Sequence, residues 1–121
     1  MEVPTKQEAE AARHMRLDQV AGPGYRKAFE FLIKDYAKTL APDREREIEE
    51  AFSGNVVKDY IRDRRIQAVA KRALWLGNDE THYLKKWTSH GINDLITLIR
   101  LTIGWIEIER LSQGYTDEMP D

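Results

Sequence analysis

The sequence contains no cysteine, which excludes a whole range of chemistry at once. Disulfides, thiolate metal ligands and a cysteine nucleophile are all impossible, so only histidine and carboxylates could hold a metal. Asp79 and His82 are three residues apart, but Glu80 does not share that spacing and no second histidine is assured nearby, so the set does not make a helical metal site. We therefore expect no metal and no cofactor.

Long apolar runs are missing as well. The longest stretch, from Leu95 to Ile106, is interrupted by Arg100 and is shorter than the ~20 residues that a membrane span needs. The N-terminus around Met1 and Pro4 is polar and acidic and does not resemble a secretory signal. The sequence therefore predicts a cytoplasmic protein with no membrane partner.

An excess of charge of either sign is absent too. The 121 residues include 19 basic and 21 acidic side chains, for a net charge of -2, which argues against a uniformly basic nucleic-acid-binding surface. Local basic patches are compatible with this balance. A chain of this length buries ~65 to 70% of its unfolded surface in one core. We expect a single domain spanning residues 1–121.

Glycine, proline and the spacing of apolar residues together predict an all-α bundle of five or six helices. Gly22-Pro23-Gly24 is expected to separate a peripheral N-terminal helix, within residues 1–22, from a core helix over 25–40. A short charged helix and a second short helix follow, and Asp63 is placed to cap a core helix over 64–76. The last core helix is predicted over 92–111, and residues 112–121 are predicted to form a flexible acidic tail.

The last predicted helix is apolar on two sides. One side is expected to face the core, and the next carries Leu98, Leu101, Trp105 and Ile108. A helix that is apolar on two sides is either central in its bundle or in contact with both its own core and a partner. We interpret the second side as the interface of a homodimer.

The segment from Gly77 to His82 has two interpretations. In the structural one, Gly77 ends a helix in the left-handed conformation and Asn78 or Asp79 caps the next helix. In the functional one, the His82 imidazole transfers a proton near neutral pH while Asn78 orients it or a substrate. The residues alone leave both open.

Basic and aromatic residues alternate around this segment, which is typical of a surface where a backbone phosphate binds while a base stacks on an aromatic ring. The alternative is a solvated face whose charges are paired with nearby acids. The candidate ligand-binding residues are Lys71, Arg72, Trp75, Lys85, Lys86 and Trp87.

Three segments resemble a family of bacterial and phage domains of unknown function: 24–36 (GYRKAFEFLIKDY), 71–82 (KRALWLGNDETH) and 92–99 (INDLITLI). The resemblance extends from about Gln7 to Glu109. That family is itself similar to the HEPN superfamily, whose members are all-α bundles that often dimerise. The resemblance implies an HEPN-like fold and a phage or anti-phage defence context.

Active HEPN ribonucleases cleave RNA without metal, using an arginine followed by four to six residues and a histidine. By this resemblance His82 matches the histidine and Asn78 the polar residue that commonly follows the arginine, but the arginine position is Gly77. Loss of one charge stabiliser costs ~100- to 1,000-fold in rate. The prediction is therefore a non-catalytic binding and dimerisation module. One alternative is a metal-independent endoribonuclease with His82 as base and Asn78 as orienter, helped by Arg72 or Lys86. The other is an RNA- or DNA-binding module without cleavage.

Overall fold

The structure is a computed structural model that describes residues 18–79, 86–87 and 89–121, with side chains from residue 23 onward. Within these ranges it is helical and contains no strand, which confirms the predicted all-α fold. The elements in chain order are α1 (Asp18–Leu40), a 3-10 turn (Pro42–Arg44), α2 (Glu45–Glu50), α3 (Ser53–Tyr60), α4 (Arg64–Asp79) and α5 (Ile92–Glu118).

The core lies where α1, α4 and α5 meet, and α3 packs beside α1 and α4. Tyr25, Phe29 and Ile33 are fully buried along one side of α1 because they recur every four residues, about one helical turn. The α4 and α5 helices contribute matching apolar sides, and these two helices pack together most extensively. The buried apolar side chains of α4 and α5 are Ile66, Ala70, Ala73, Leu76, Leu95, Ile96, Ile99 and Ile106.

The predicted break at Gly22-Pro23-Gly24 is wrong, because α1 runs through it. A proline inside a helix removes one backbone hydrogen bond and costs ~3 kcal/mol. Tyr25 and Phe29 follow directly and are buried, and each large apolar side chain that is buried contributes ~1.5 to 3 kcal/mol. Packing therefore offsets the proline. The rest of the predicted N-terminal helix, up to residue 17, lies outside the described residues.

The end of the last helix also differs from the prediction. The sequence predicted that this helix ends near Leu111 and that residues 112–121 form a flexible tail. In the structure α5 continues to Glu118. Hydrogen bonds within the helix support the extension: Gln113 donates to Asp117 at 2.9 Å and the Thr116 hydroxyl donates to the Ser112 carbonyl at 2.9 Å. The predicted tail is therefore mostly helix.

Asp63 caps α4 as predicted. Its carboxylate accepts hydrogen bonds from the backbone N–H groups of Arg65 and Ile66, at 2.8 and 3.1 Å. The Arg65 guanidinium also donates to Asp63, at 3.2 Å, and together these donors hold the pKa of Asp63 below its ordinary value. No helix in the described ranges is long and apolar enough to cross a membrane.

Candidate functional site: a tryptophan cleft

The end of α4 is tied to the segment that follows it by a buried carboxylate. Asp79 is the last residue of α4, and its two oxygens accept hydrogen bonds from the backbone N–H groups of Lys86, at 3.1 Å, and Trp87, at 2.6 Å. Asp79 was predicted as one of two possible caps for a following helix. Its observed role is to hold residues 86–87 against the side of α4.

This clamp places one tryptophan on another. The rings of Trp75, on α4, and Trp87 are stacked, with centroids 5.7 Å apart and planes 9° from parallel. Trp87 packs against the core, whereas Trp75 is 39% exposed. Stacked aromatic pairs contribute ~0.5 to 1.5 kcal/mol beyond the apolar area they bury. The pair therefore helps to hold the loop and leaves part of one ring open to solvent.

A cleft of about 280 Å³ opens beside the stacked pair, between α4 and the first turns of α5. We call it the tryptophan cleft. Its wall is largely apolar and is interrupted by a few polar and charged side chains, a composition typical of ligand sites. The residues that line it are Arg72, Trp75, Leu76, Trp87, His90, Asp94, Thr97 and Leu98.

Three cations lie over the tryptophan rings. The charged groups of Lys71 and Arg72 are 5.5 and 5.6 Å from the centroid of Trp75, and the ammonium of Lys86 is 5.8 Å from that of Trp87. Such contacts hold a cation at an aromatic face with ~0.5 to 1 kcal/mol at exposed sites. Five of the six predicted ligand-binding residues therefore come together, and the sixth, Lys85, lies outside the described residues.

A histidine, His90, lies at this cleft. The His90 ring packs edge-on to Trp87, at 6.4 Å between centroids, and its Nδ1 is 3.1 Å from the Ser89 hydroxyl. His90 was not among the predicted site residues, because nothing in the sequence shows that its loop returns to α4. His82 lies outside the described residues.

Gly77 is not a helix stop, which corrects the structural interpretation of the motif. It lies inside α4, and a Cβ atom built on it would be 3.3 Å from the Cβ of Arg26 on α1. Glycine lets α1 cross α4 closely here, because a Cβ at this position would require Arg26 to shift by a few tenths of an ångström. The same crossing places Arg26 in one cleft with Asn78, although sequence spacing gave no sign of it.

The predicted catalytic residues Asn78 and Arg72 line different clefts. Arg72 faces the tryptophan cleft and donates a hydrogen bond to the Ala68 carbonyl at 3.0 Å, whereas Asn78 lies beside Arg26 and Glu30. The two clefts share only the Trp75 side chain among their lining residues. Arg72 is therefore badly placed to assist chemistry at Asn78.

The predicted dimer interface is divided by the structure. Leu98 and Trp105 are partly buried against the core, and the Arg65 guanidinium covers the Trp105 ring at 4.4 Å. Leu101 and Ile108 are exposed. The exposed apolar face continues beyond them, along the helical extension that the sequence analysis missed, to Leu111, Tyr115 and Met119.

The fold and the cleft define a small all-α protein with an aromatic cleft and cations at its tryptophan rings. Within the described ranges, no three histidine, aspartate or glutamate side chains are close enough together to share a metal ion. Comparison with protein-family models, curated proteins and solved structures finds no significant match. The HEPN-like relationship therefore stays a prediction.

Proposed function

We propose that this protein is a non-catalytic helical binding module that forms a homodimer through α5. The supporting observation is an exposed row of apolar side chains on α5, which we call the α5 stripe. It consists of Leu101, Ile108, Leu111 and Tyr115, together with Met119, the residue that directly follows the end of α5. The HEPN-like resemblance, with its dimers and its phage or defence context, agrees with this proposal.

The spacing of the α5 stripe keeps it on one side of the helix. Steps of seven, three, four and four residues return to nearly the same direction at ~100° per residue, and that direction is opposite to buried Ile99 and Ile106. The stripe is ~27 Å long at 1.5 Å per residue. Tyr115 and Met119 are 65% and 74% exposed. Contiguous exposed apolar surface of this kind marks an interaction site.

Gly104 gives an independent indication of a partner. It lies in the α5 stripe between Leu101 and Ile108, and a Cβ built on it would meet nothing within 4 Å. Glycine inside a helix costs ~1 kcal/mol relative to alanine, and no contact within the described chain requires it here. A second helix crossing at this point would approach closely only if the position is small.

The test is the mass of the purified protein in solution, measured by light scattering over a range of micromolar concentrations. We expect the mass of a dimer for the natural sequence and of a monomer for Ile108→Glu combined with Leu111→Glu. Phe52→Glu is the matched control, because Phe52 is also apolar and is 84% exposed but lies outside α5. A monomer at all concentrations would contradict the proposal.

A second candidate function, binding of single-stranded RNA or DNA, is supported by the cations at the exposed ring of Trp75. Base stacking on an aromatic ring contributes ~1 to 3 kcal/mol, and the phosphates require cations beside it. If Lys71, Arg72 and Lys86 each neutralise a phosphate, log K should fall with log salt with a slope of about -2 for a single strand. Trp75→Ala should weaken the binding of a fluorescent oligonucleotide at least tenfold.

Lys27→Ala supplies the control, since Lys27 is an exposed cation on α1. Binding that is independent of salt, or equal losses in Trp75→Ala and Lys27→Ala, would reject this second function.

A further inference from the structure

We propose that the two copies pair antiparallel and that the C-terminal end of α5 from each copy docks in the tryptophan cleft of the other. The inference rests on the proposed homodimer and adds to it an orientation and an occupant for the cleft. Each copy then contributes the same two surfaces, its cleft and its helix end, as a closed twofold interface requires.

The α5 stripe leads directly into the tryptophan cleft. Thr97 lies one turn before Leu101 on the same side of α5, and Thr97 also lines the tryptophan cleft. Asp94 continues this line one turn earlier and lines the cleft as well. A helix laid along the α5 stripe therefore reaches the mouth of the cleft without changing direction.

The register of an antiparallel pair of α5 helices also brings the two surfaces together. If the twofold axis passes Ile108, then Leu101 of one copy faces Tyr115 of the other, because both are seven residues from Ile108. By the same count Thr97 faces Met119, since both are eleven residues away. The most exposed apolar residue of the α5 stripe is thereby brought to the cleft of the other copy.

The end of α5 and the surroundings of the cleft also carry opposite charges. The end of α5 carries Asp117 and Glu118, both exposed, and the C-terminal end of any helix is itself negative. Arg72 lines the cleft, and Lys71 and Lys86 lie at its Trp75 and Trp87 rings. The carboxylate of Asp94, which also lines the cleft, accepts a hydrogen bond from the Gly91 N–H at 3.1 Å. An antiparallel pair brings these opposite charges together, whereas an in-register parallel pair would place the two acidic ends side by side.

The side chain at the end of α5 also suits the aromatic wall of the cleft. Met119 is 74% exposed, and the cleft that would receive it is walled by Trp75, Trp87 and Leu98. Methionine fills irregular apolar spaces and its sulfur packs favourably against aromatic rings. The cleft, at about 280 Å³, has room for such a side chain.

Disulfide trapping tests the arrangement directly, and the chain has no cysteine of its own to interfere. Thr97→Cys and Met119→Cys are made as separate variants, mixed, and oxidised. A disulfide needs Cα atoms about 4.4 to 6.8 Å apart, whereas the two positions are ~33 Å apart along one helix. Any bond between positions 97 and 119 therefore joins two chains.

We expect a mixed disulfide between Thr97→Cys and Met119→Cys. No such bond should form between Met119→Cys and Glu50→Cys, which places the thiol at an exposed position on α2. A Met119→Cys disulfide formed by that variant alone would indicate a parallel pair and overturn the proposal.

Charge reversal supplies a second readout that does not depend on oxidation. Glu118→Lys with Asp117→Lys should raise the dimer dissociation constant at least tenfold, and adding Lys71→Glu with Arg72→Glu should restore much of the loss. Glu50→Lys should have no effect. A light-scattering dimer with no 97–119 disulfide and no response to charge reversal would overturn the docking but leave the homodimer intact. A monomeric natural sequence would overturn both.

Discussion

The backbone of α4 at Gly77 touches the side chain of Arg26 on α1, so closely that a Cβ on Gly77 would lie 3.3 Å from the Arg26 Cβ and 3.4 Å from its Cγ. Position 77 is thus packed against an arginine of another helix. This contact explains the glycine without any turn. It also brings a guanidinium to the neighbourhood of Asn78.

Replacing Gly77 with arginine should therefore destabilise the protein. The new side chain would overlap Arg26, and overpacking of this kind costs ~1 to 3 kcal/mol, which denaturant unfolding can measure. Gly54→Ala is the control, because a Cβ at Gly54 meets nothing within 4 Å. It should be neutral or stabilising by up to ~1 kcal/mol. An equally stable Gly77→Arg protein would show that the helices separate easily.

The Asp79 clamp predicts that Asp79→Ala loosens the tryptophan cleft. Its removal leaves two backbone N–H groups without their acceptor, at a cost of ~1 to 3 kcal/mol. Tryptophan fluorescence should change, because Trp87 would leave the Trp75 ring. Asp59→Ala, at an exposed position of α3, should change neither stability nor fluorescence. Unaltered fluorescence in Asp79→Ala would show that stacking alone holds the loop.

Tyr36 should titrate well above an ordinary tyrosine. Burial, together with the Glu109 carboxylate that accepts its O–H bond at 3.1 Å, raises the pKa of Tyr36 to about 12 from an ordinary value of ~10. A pKa raised by folding contributes stability that is complete below pH ~10 and is lost as the pH rises through ~12. The free energy of unfolding should fall more steeply over this range in the natural protein than in Tyr36→Phe.

The same substitution should cost ~1 kcal/mol at neutral pH, the usual contribution of one hydrogen bond. Spectroscopic titration of the phenols gives an independent check, because Tyr36→Phe should remove one phenol from the ionisation near pH 12. Identical pH profiles for the natural protein and Tyr36→Phe would contradict the assignment.

The ribonuclease alternative has a direct assay. If His82 acts as a base with Arg26 near Asn78 supplying positive charge, purified protein should cut single-stranded RNA in the presence of EDTA. His82→Ala and Arg26→Ala should each reduce the rate ~100-fold or more. His90→Ala separates the two histidines and should keep full activity. Equal background cleavage in all four proteins is what a non-catalytic module predicts.

Local features of the fold were predictable from the sequence, and tertiary ones were not. The Asp63 cap was predicted because its partners are two and three residues away. Gly77 was misread because the close crossing of α1 and α4 joins residues 51 positions apart. Pro23 was misread because packing of Tyr25 and Phe29 outweighs a local helix breaker.

Of the eight described residues that line the tryptophan cleft, three were among the predicted ligand-binding residues: Arg72, Trp75 and Trp87. Five of the predicted cationic and aromatic residues come together as expected, because Lys71, Arg72 and Trp75 lie within about one turn of one helix. The stack on Trp87 depends on Asp79 reaching seven and eight residues ahead, a distance that no local rule covers. The end of α5 was missed because polar residues there suggested fraying, although Tyr115 and Met119 continue the apolar spacing.

The two opposite apolar faces of α5 also have a thermodynamic consequence. The α5 helix supplies Leu95, Ile99 and Ile106 to the core, and a second copy would contact the same helix. Dimerisation and the folding of each chain therefore depend on the same element. Association that binds only the folded chain stabilises it by mass action. The melting temperature of this protein should therefore rise with its concentration, and in the Ile108→Glu, Leu111→Glu variant it should not.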